Sequence, residues 1–357
     1  MNVIHGKFQQ TLRAAIMCAA VLRCGSPMAG ADVLSDGDVR ITDLQPWRGY
    51  FAGRDASFRF AVSARRPVQG LIVWRFAVMD ATMARGEQAL ALDATQPLTV
   101  DIPLQFPEAR PGIIVDAVLE VGILDDARKQ TRATYRKAIR LYPDNPFFEQ
   151  TERLQQQRIH LFDPENTLVE RMEELGVPLT LLPNLRALRP QRDGILIVGA
   201  NVSFLDYRGL FAEMAEAASR GVKVLCLAQA GGEIELPGMG GSELPRPRSV
   251  RFHGVEIIHS YDKKFDALSW PLDGRIASAG ITLEGVRGLV VGQVGNQADG
   301  WPWIEFEYAS GGRLILCGFA VTEQWDSGPM PRFLLFEIIN ELSHRSQPRR
   351  ASSRPAN

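Results

Sequence analysis

Cys226 closes the apolar run VKVLCLA, immediately before Gln229, Ala230, Gly231 and Gly232. A thiol at a strand tip can serve as a nucleophile when glycines two residues before and two after it permit a strained elbow. A backbone N–H beyond the elbow then forms an oxyanion hole. Here those two positions hold Val224 and Ala228, and residues 229–232 read as a loop rather than a helix start. A thiol with no neighbouring base is a weak nucleophile, and free cysteines are commonly buried. Cys226 is therefore expected in a strand core, as is Cys317 in RLILCGF. A disulfide between them would need Cα atoms within about 7 Å; two separate buried thiols are the simpler expectation.

Other groups carry weaker chemical signals. The five histidines, at positions 5, 160, 253, 259 and 344, have no metal-ligand spacing, since His253 and His259 are six residues apart across one apparent strand. Glu305 and Glu307 alternate with Ile304, Phe306 and Tyr308 and so share a strand face. A glycosidic carboxylate pair must flank a cleft; a solvated strand face accounts for these two. Gly231-Gly232-Glu233 and the glycines at 238, 240 and 241 match no phosphate-binding fingerprint. Asp163, Asn201 and Gln229 each follow an expected strand ending on the same sheet edge, where open α/β sheets bind ligands. Trp270, Trp301, Trp303 and Trp325 crowd the last third beside Pro, Gly or Asp. Flat rings beside acids and amides can grip sugars, although tryptophan is on average largely buried. The candidate ligand contacts are Asp163, Asn201, Gln229, Trp301 and Trp303. No catalytic residue, metal or cofactor is assigned.

The elements that must position these groups fall into two halves. From about Val39 to Leu141 short apolar runs such as SFRFAVS, LTVDIPL and ATYRKAIRL alternate with Pro and Gly turns, the pattern of a β-sandwich. Asp144-Asn145-Pro146 then punctuates, and 147–158 is a polar, partly helical linker. From Ile159 strands and helices alternate, which predicts a parallel sheet with helices on both faces. Thr167 and Glu170 form a capping-box pattern before Leu168, Met172 and Leu175. Leu210, Phe211, Met214 and Ala218 give the next helix its apolar stripe, with Gly221 ending it. Gly231–Gly254 reads as loop, Val255–His259 as a strand, and Trp303–Phe319 as a hairpin turning at Ser310-Gly311-Gly312. Pro331 starts a last helix.

The chain has 357 residues, 45% hydrophobic and 23% charged, with a net charge of −1. That charge gives no reason to expect nucleic acid as a partner. Lys7 and Arg13, the apolar core AAIMCAAVL and Ala29-Gly30-Ala31 form a signal-peptide pattern, with cleavage expected near Ala31. Its removal takes the net charge to −4 and leaves Cys226 and Cys317 as the remaining cysteines. No later run is long and apolar enough for a transmembrane helix. The expected plan is a signal peptide over 1–31, a β-sandwich over 36–143, a linker over 144–158, an α/β domain over 159–344 and a disordered tail over 345–357.

HLFDPENT, DGILIVGANVSF, RGVKVLCLAQAGGE and YASGGRLILCGF resemble the class I glutamine amidotransferase-like fold, in the non-catalytic style of β-galactosidase trimerisation domains. FAGRDASFRFAVSARRPVQGLIVWRF and IRLYPDNPF are similar to the immunoglobulin-like sandwich modules of glycoside hydrolase family 2. The resemblance implies a flavodoxin-like sheet in the second half. An active member would also need His and Glu two residues apart after the last strand, where this chain has Ala320-Val321-Thr322-Glu323. The resulting expectation is an extracytoplasmic, periplasmic or secreted, non-catalytic binding or assembly module. Its partner would be a carbohydrate, another envelope protein or a further copy of itself. The alternatives are a hydrolase or amidotransferase-like enzyme using Cys226 or the strand-end crevice, and a structural envelope protein.

Overall fold

A computed structural model describes residues 33–35, 37–125, 130–265, 268, 270, 275–295 and 300–343. The signal-peptide pattern, His344 and the Arg- and Ser-rich tail lie outside the described residues. The chain forms two compact units. Among the described residues, the first comprises those up to Pro46, Gly53–Pro107 and Val115–Leu141; the second comprises Trp47–Ala52, Glu108–Ile114 and those from Tyr142 onward.

In the first unit β1 (Val33–Ser35), β2 (Val39–Asp43), β4 (Asp55–Ala64), β5 (Val68–Val78), β6 (Ala81–Leu92), β7 (Leu98–Gln105), β8 (Val115–Asp125) and β9 (Thr131–Tyr142) build two antiparallel sheets; β3 (Gly49–Phe51) belongs to the second unit. One sheet runs β1-β9-β8-β5-β6 and the other β2-β4-β7. Period-two burial sets the inner faces: Phe58, Phe60 and Val62 of β4 and Val100, Ile102 and Leu104 of β7 are buried while their neighbours are exposed or only partly buried. The sheets pack through Phe60 on Tyr135, ring centres 5.6 Å apart, giving the β-sandwich that the turn spacing predicts. Lys137 occupies an inward position of β9. Its ammonium is paired with Asp43 Oδ2 at 2.6 Å and donates to the Gln45 carbonyl, and Tyr135 donates to the same carboxylate at 3.1 Å.

The second unit carries helices α1 (Thr151–Gln157), α2 (Val169–Glu174), α3 (Leu210–Ser219), α4 (Ile258–Tyr261) and α5 (Met330–Ser343). Its strands are β10 (Ile159–Phe162), β11 (Leu179–Leu181), β12 (Ile195–Val198), β13 (Lys223–Leu227), β14 (Gly232–Gly240), β15 (Ser249–His253), β16 (Gly280–Val286), β17 (Leu289–Gly295), β18 (Trp303–Glu307) and β19 (Arg313–Cys317). The main sheet runs β11-β10-β12-β13-β19-β18-β15. Its first five strands are parallel, and β18 and β15 extend it antiparallel. One face packs with α2 and α5 around Leu161, Ile197, Leu225, Ile315 and Trp303. The other packs with α3 around Leu196, Val198, Val224, Leu316 and Phe306. Such near-continuous apolar strands are what a sheet covered on both faces requires.

Two expectations are corrected here. The glycine-rich stretch after Gly231 holds β14, which joins β17 and β16 in a small antiparallel sheet. Its glycines serve close approach rather than looseness: a side chain at Gly240, whose φ is +64°, would strike the Gly288 carbonyl. Residues 255–261 form a 3₁₀ turn and α4, and the strand of that region is Ser249–His253.

The turn between β18 and β19 sits under the end of α3. A methyl group on Gly312 would run into the Ala218 carbonyl oxygen, whereas Gly311, at φ +84°, faces open space. Gly312→Ala should therefore cost about 2 kcal/mol or more by forcing helix and turn apart. Gly311→Ala should cost about 1 kcal/mol through the left-handed backbone alone. Urea unfolding of both variants measures the difference, and equal costs would show that the packing is looser than described.

Candidate functional site

The parallel strands end side by side on one edge. Gly199 N–H donates to the Phe162 carbonyl at 2.9 Å and Asn201 N–H to Ala228 at 2.7 Å, so the residues after β10, β12 and β13 lie in sequence along it. This is the edge that places Asp163, Asn201 and Gln229, and it treats the three differently.

Asp163 is buried and committed to its own loop. Oδ1 accepts from the Thr167 N–H at 3.1 Å and its hydroxyl at 2.9 Å; Oδ2 accepts from the N–H groups of Leu168 at 2.7 Å and Val169 at 3.0 Å. The chain returns to the carboxylate through Asn166, at φ +49°. Asp163, not Thr167, therefore satisfies the first N–H groups of α2, and Leu168 is the N-cap position. This corrects the capping-box expectation: two oxygens arriving from five residues back outcompete a single hydroxyl. Thr167 Oγ1 instead joins the loop to β12, accepting from Ala200 N–H at 3.2 Å. Gly199 completes the lock, because a side chain there would strike the Asp163 carboxylate.

Gln229 is 3% exposed, and its amide donates to Cys226 Sγ at 2.8 Å and to the Leu227 carbonyl. Asn201 is exposed and left-handed, at φ +63°. It alone of the three offers its side chain to solvent.

Cys226 and Cys317 are free and buried. They stand on adjacent parallel strands, Cys226 opposite Leu316 and Leu227 opposite Cys317. That one-residue offset sends the two sulfurs to opposite faces of the sheet, into separate cores. Burial pushes the Cys226 thiol well above its ordinary range, outweighing the Gln229 hydrogen bond, and pushes Cys317 up to about 12. After β19, Glu323 is paired with Arg275.

The tryptophans divide likewise. Trp303 is fully buried, tilted against Phe319 with ring centres 5.7 Å apart, so its face is closed to a sugar. Trp270 and Trp325 are also buried, Trp325 beneath the guanidinium of Arg332 at 5.4 Å. Trp301 is 42% exposed and rests on Phe252 at 5.7 Å. Among the described residues no cluster of three His, Cys, Asp or Glu could hold a metal, and no helix is long and apolar enough to cross a membrane.

A further polar group, not evident as a site from the sequence, lies on the face of β15, β18 and β19. Glu305 and Glu307 do share a strand face, but it is not simply solvated. The Glu305 side chain is 5% exposed and accepts from Arg313 Nε at 2.8 Å, with Arg251 at 3.7 Å. Glu307 pairs with Arg251 at 2.8 Å and accepts from Ser249 Oγ at 3.0 Å; Arg313 also reaches Glu341 of α5 at 3.1 Å. Burial opposes the charge on Arg313, but Glu305 and Glu341 hold its guanidinium above its ordinary value. Tyr261, pushed up by burial and then by Glu341, stands edge-on to Trp303 at 5.7 Å. These groups line an open groove of about 1250 Å³. The sequence signal was present in the alternation of Glu305 and Glu307 with Arg313 beyond the turn. What hid it was the edge strand, whose Arg251 and Ser249 precede the segment read as strand.

No protein-family model matches the sequence, and no curated protein matches it. Among solved structures, 72% of the chain is similar to a cycloisomaltooligosaccharide glucanotransferase from Paenibacillus sp., at 10% identity and a TM-score of 0.27 over 34% of that chain. The sporulation control protein Spo0M of Bacillus subtilis is similar over 36% of this chain and 56% of its own, at 11% identity and a TM-score of 0.24. A glycosyl hydrolase family 2 member from Bacteroides cellulosilyticus is similar over 53% of this chain and 36% of its own, at 10% identity and a TM-score of 0.21. The chain thus spans 56% or less of each of these proteins. Similarity at these scores decides nothing about function.

The role of Asp163 is testable. Asp163→Ala strands buried N–H groups at the start of α2 and should lower stability by about 2–4 kcal/mol. Gly199→Ala should destabilise through the same contact. Chemical denaturation reads both; an Asp163→Ala protein of unchanged midpoint would show that the carboxylate is free for a ligand.

Proposed function

We propose that this chain is an extracytoplasmic, non-catalytic, carbohydrate-associated module. In this reading an immunoglobulin-like sandwich is followed by a flavodoxin-like sheet of the glutamine amidotransferase type that has lost its chemistry. The parallel strands, counted along the chain from β10, lie in the order 2-1-3-4-5, which supports the flavodoxin-like assignment.

The observation that carries the non-catalytic reading is the seat of Cys226. Its thiol points from the interior of β13 into an apolar core, is held protonated by burial and has an amide rather than a base beside it. Nucleophilic thiols sit in accessible, electropositive surroundings that lower their pKa. On the strand-end edge Asp163 is saturated and Gln229 turned inward. Asn201 and Trp301 keep exposed side chains and stay in the proposal as ligand contacts.

Thiol labelling of the folded protein tests this. With Cys317 near 12 and Cys226 still higher, neither should react with a maleimide as pH rises through the ordinary thiol range around 8.5. Both should react in denaturant. Rapid labelling of folded protein that disappears in Cys226→Ser would overturn the non-catalytic reading.

A further inference from the structure

We infer that the groove over β15, β18 and β19 is a binding site for an uncharged oligosaccharide. The inference rests on the carbohydrate-associated reading and supplies its site. The first support is shape: a groove of about 1250 Å³ has room for several sugar rings, and ligand sites are concave with a few fixed polar groups.

The second support is the state of its charges. Each carboxylate in the ladder Ser249, Glu307, Arg251, Glu305, Arg313, Glu341 is already bound to a guanidinium of the same ladder. Arg248 and Glu337 also line the groove, one of each sign, so its lining favours neither a polyanion nor a polycation, and either would have to separate the buried Glu305–Arg313 pair, which is strongly unfavourable. A neutral polyol need not. A carboxylate offers about four acceptor sites and a guanidinium five N–H donors. Hydroxyls can fill what the ladder leaves open, donating to the acids and accepting from the arginines with charge-assisted strength.

The third support is the gradient of exposure. Glu305 and Arg313, at 5% and 13%, form a fixed floor, while Arg251 at 48%, Glu307 at 32% and Glu341 at 46% stand at the rim. Groups locked before binding cost little ordering entropy when a ligand arrives. Tyr261 lines the same groove and is braced by Trp303, giving an aromatic surface for the apolar face of a sugar ring.

The full chain is titrated calorimetrically with maltohexaose, cellohexaose, xylohexaose and chitohexaose, and with hexagalacturonate as the anionic comparison. Two variants report on the groove. Glu307→Gln removes an acceptor, and Ser260→Trp adds bulk to the groove from an exposed position of α4 outside the ladder. Thermal midpoints confirm that both fold. The expected result is binding of at least one neutral hexasaccharide, weakened about tenfold or more by each variant. Binding unchanged in both variants would overturn the groove and leave the carbohydrate reading standing. Preference for hexagalacturonate would overturn the uncharged class. No binding of any sugar by the unaltered chain would overturn both the site and the carbohydrate reading.

Discussion

The second unit is governed by the two-residue repeat of strands covered on both faces. In such a sheet every side chain must suit one of two interiors, and each step along the chain changes sides. Cys226 and Cys317 are one register step apart on neighbouring strands and so are sent into different cores, where neither can oxidise with the other or meet a base. The same rule puts Trp303 on the α5 side with Glu305 and Glu307, and leaves Ile304 and Phe306 to the α3 side. Chemistry is thus distributed by parity before any local feature acts.

A charged residue assigned an inward parity has to bring a partner. Glu305 does so with Arg313 across the hairpin and Arg251 from the edge strand. Lys137 in the β-sandwich solves the same problem with Asp43 and the Gln45 carbonyl. Desolvation largely offsets the attraction in buried pairs, so their contribution to stability is small, but losing one member costs roughly 3–5 kcal/mol. The practical effect is on register. A slip of one residue in β18 would turn Glu305 and Glu307 into the α3 core and strip both of their arginines, which strongly disfavours every alternative pairing.

Much of this architecture is legible in sequence because it depends on local repeats. The alternation of SFRFAVS and LTVDIPL, the Ser310-Gly311-Gly312 turn and the Pro331 helix start all correspond to observed elements. The failures occur where an element depends on something distant. β14 is strand despite its glycines because β17 pairs with it and Gly240 must lie against Gly288. β6 is largely exposed along most of its length and so carries no buried stripe to read. Thr167 has the expected capping residue type, yet Asp163 takes the role because the chain folds back on it. The common edge of Asp163, Asn201 and Gln229 is foreseeable from strand order. Whether each side chain faces solvent, a backbone or a sulfur is not, since that is decided by neighbours brought from other strands.

The two polar regions of the sheet differ for a physical reason. At the strand ends the chain reverses direction, and the freed N–H and C=O groups must be satisfied locally. Asp163 and Gln229 are engaged in this. On the lateral face the backbone makes less demand on side chains, because β18 is paired on both sides and β15 along its inner side. Side chains there are free to pair among themselves, and α5 presents Glu337, Asn340 and Glu341 to the groove rather than apolar residues. In an α/β sheet of this kind the strand ends are not the one place where polar side chains gather. Antiparallel strands added to one side create a second polar surface, on which Glu305, Glu307 and Glu341 are already paired with Arg251 and Arg313.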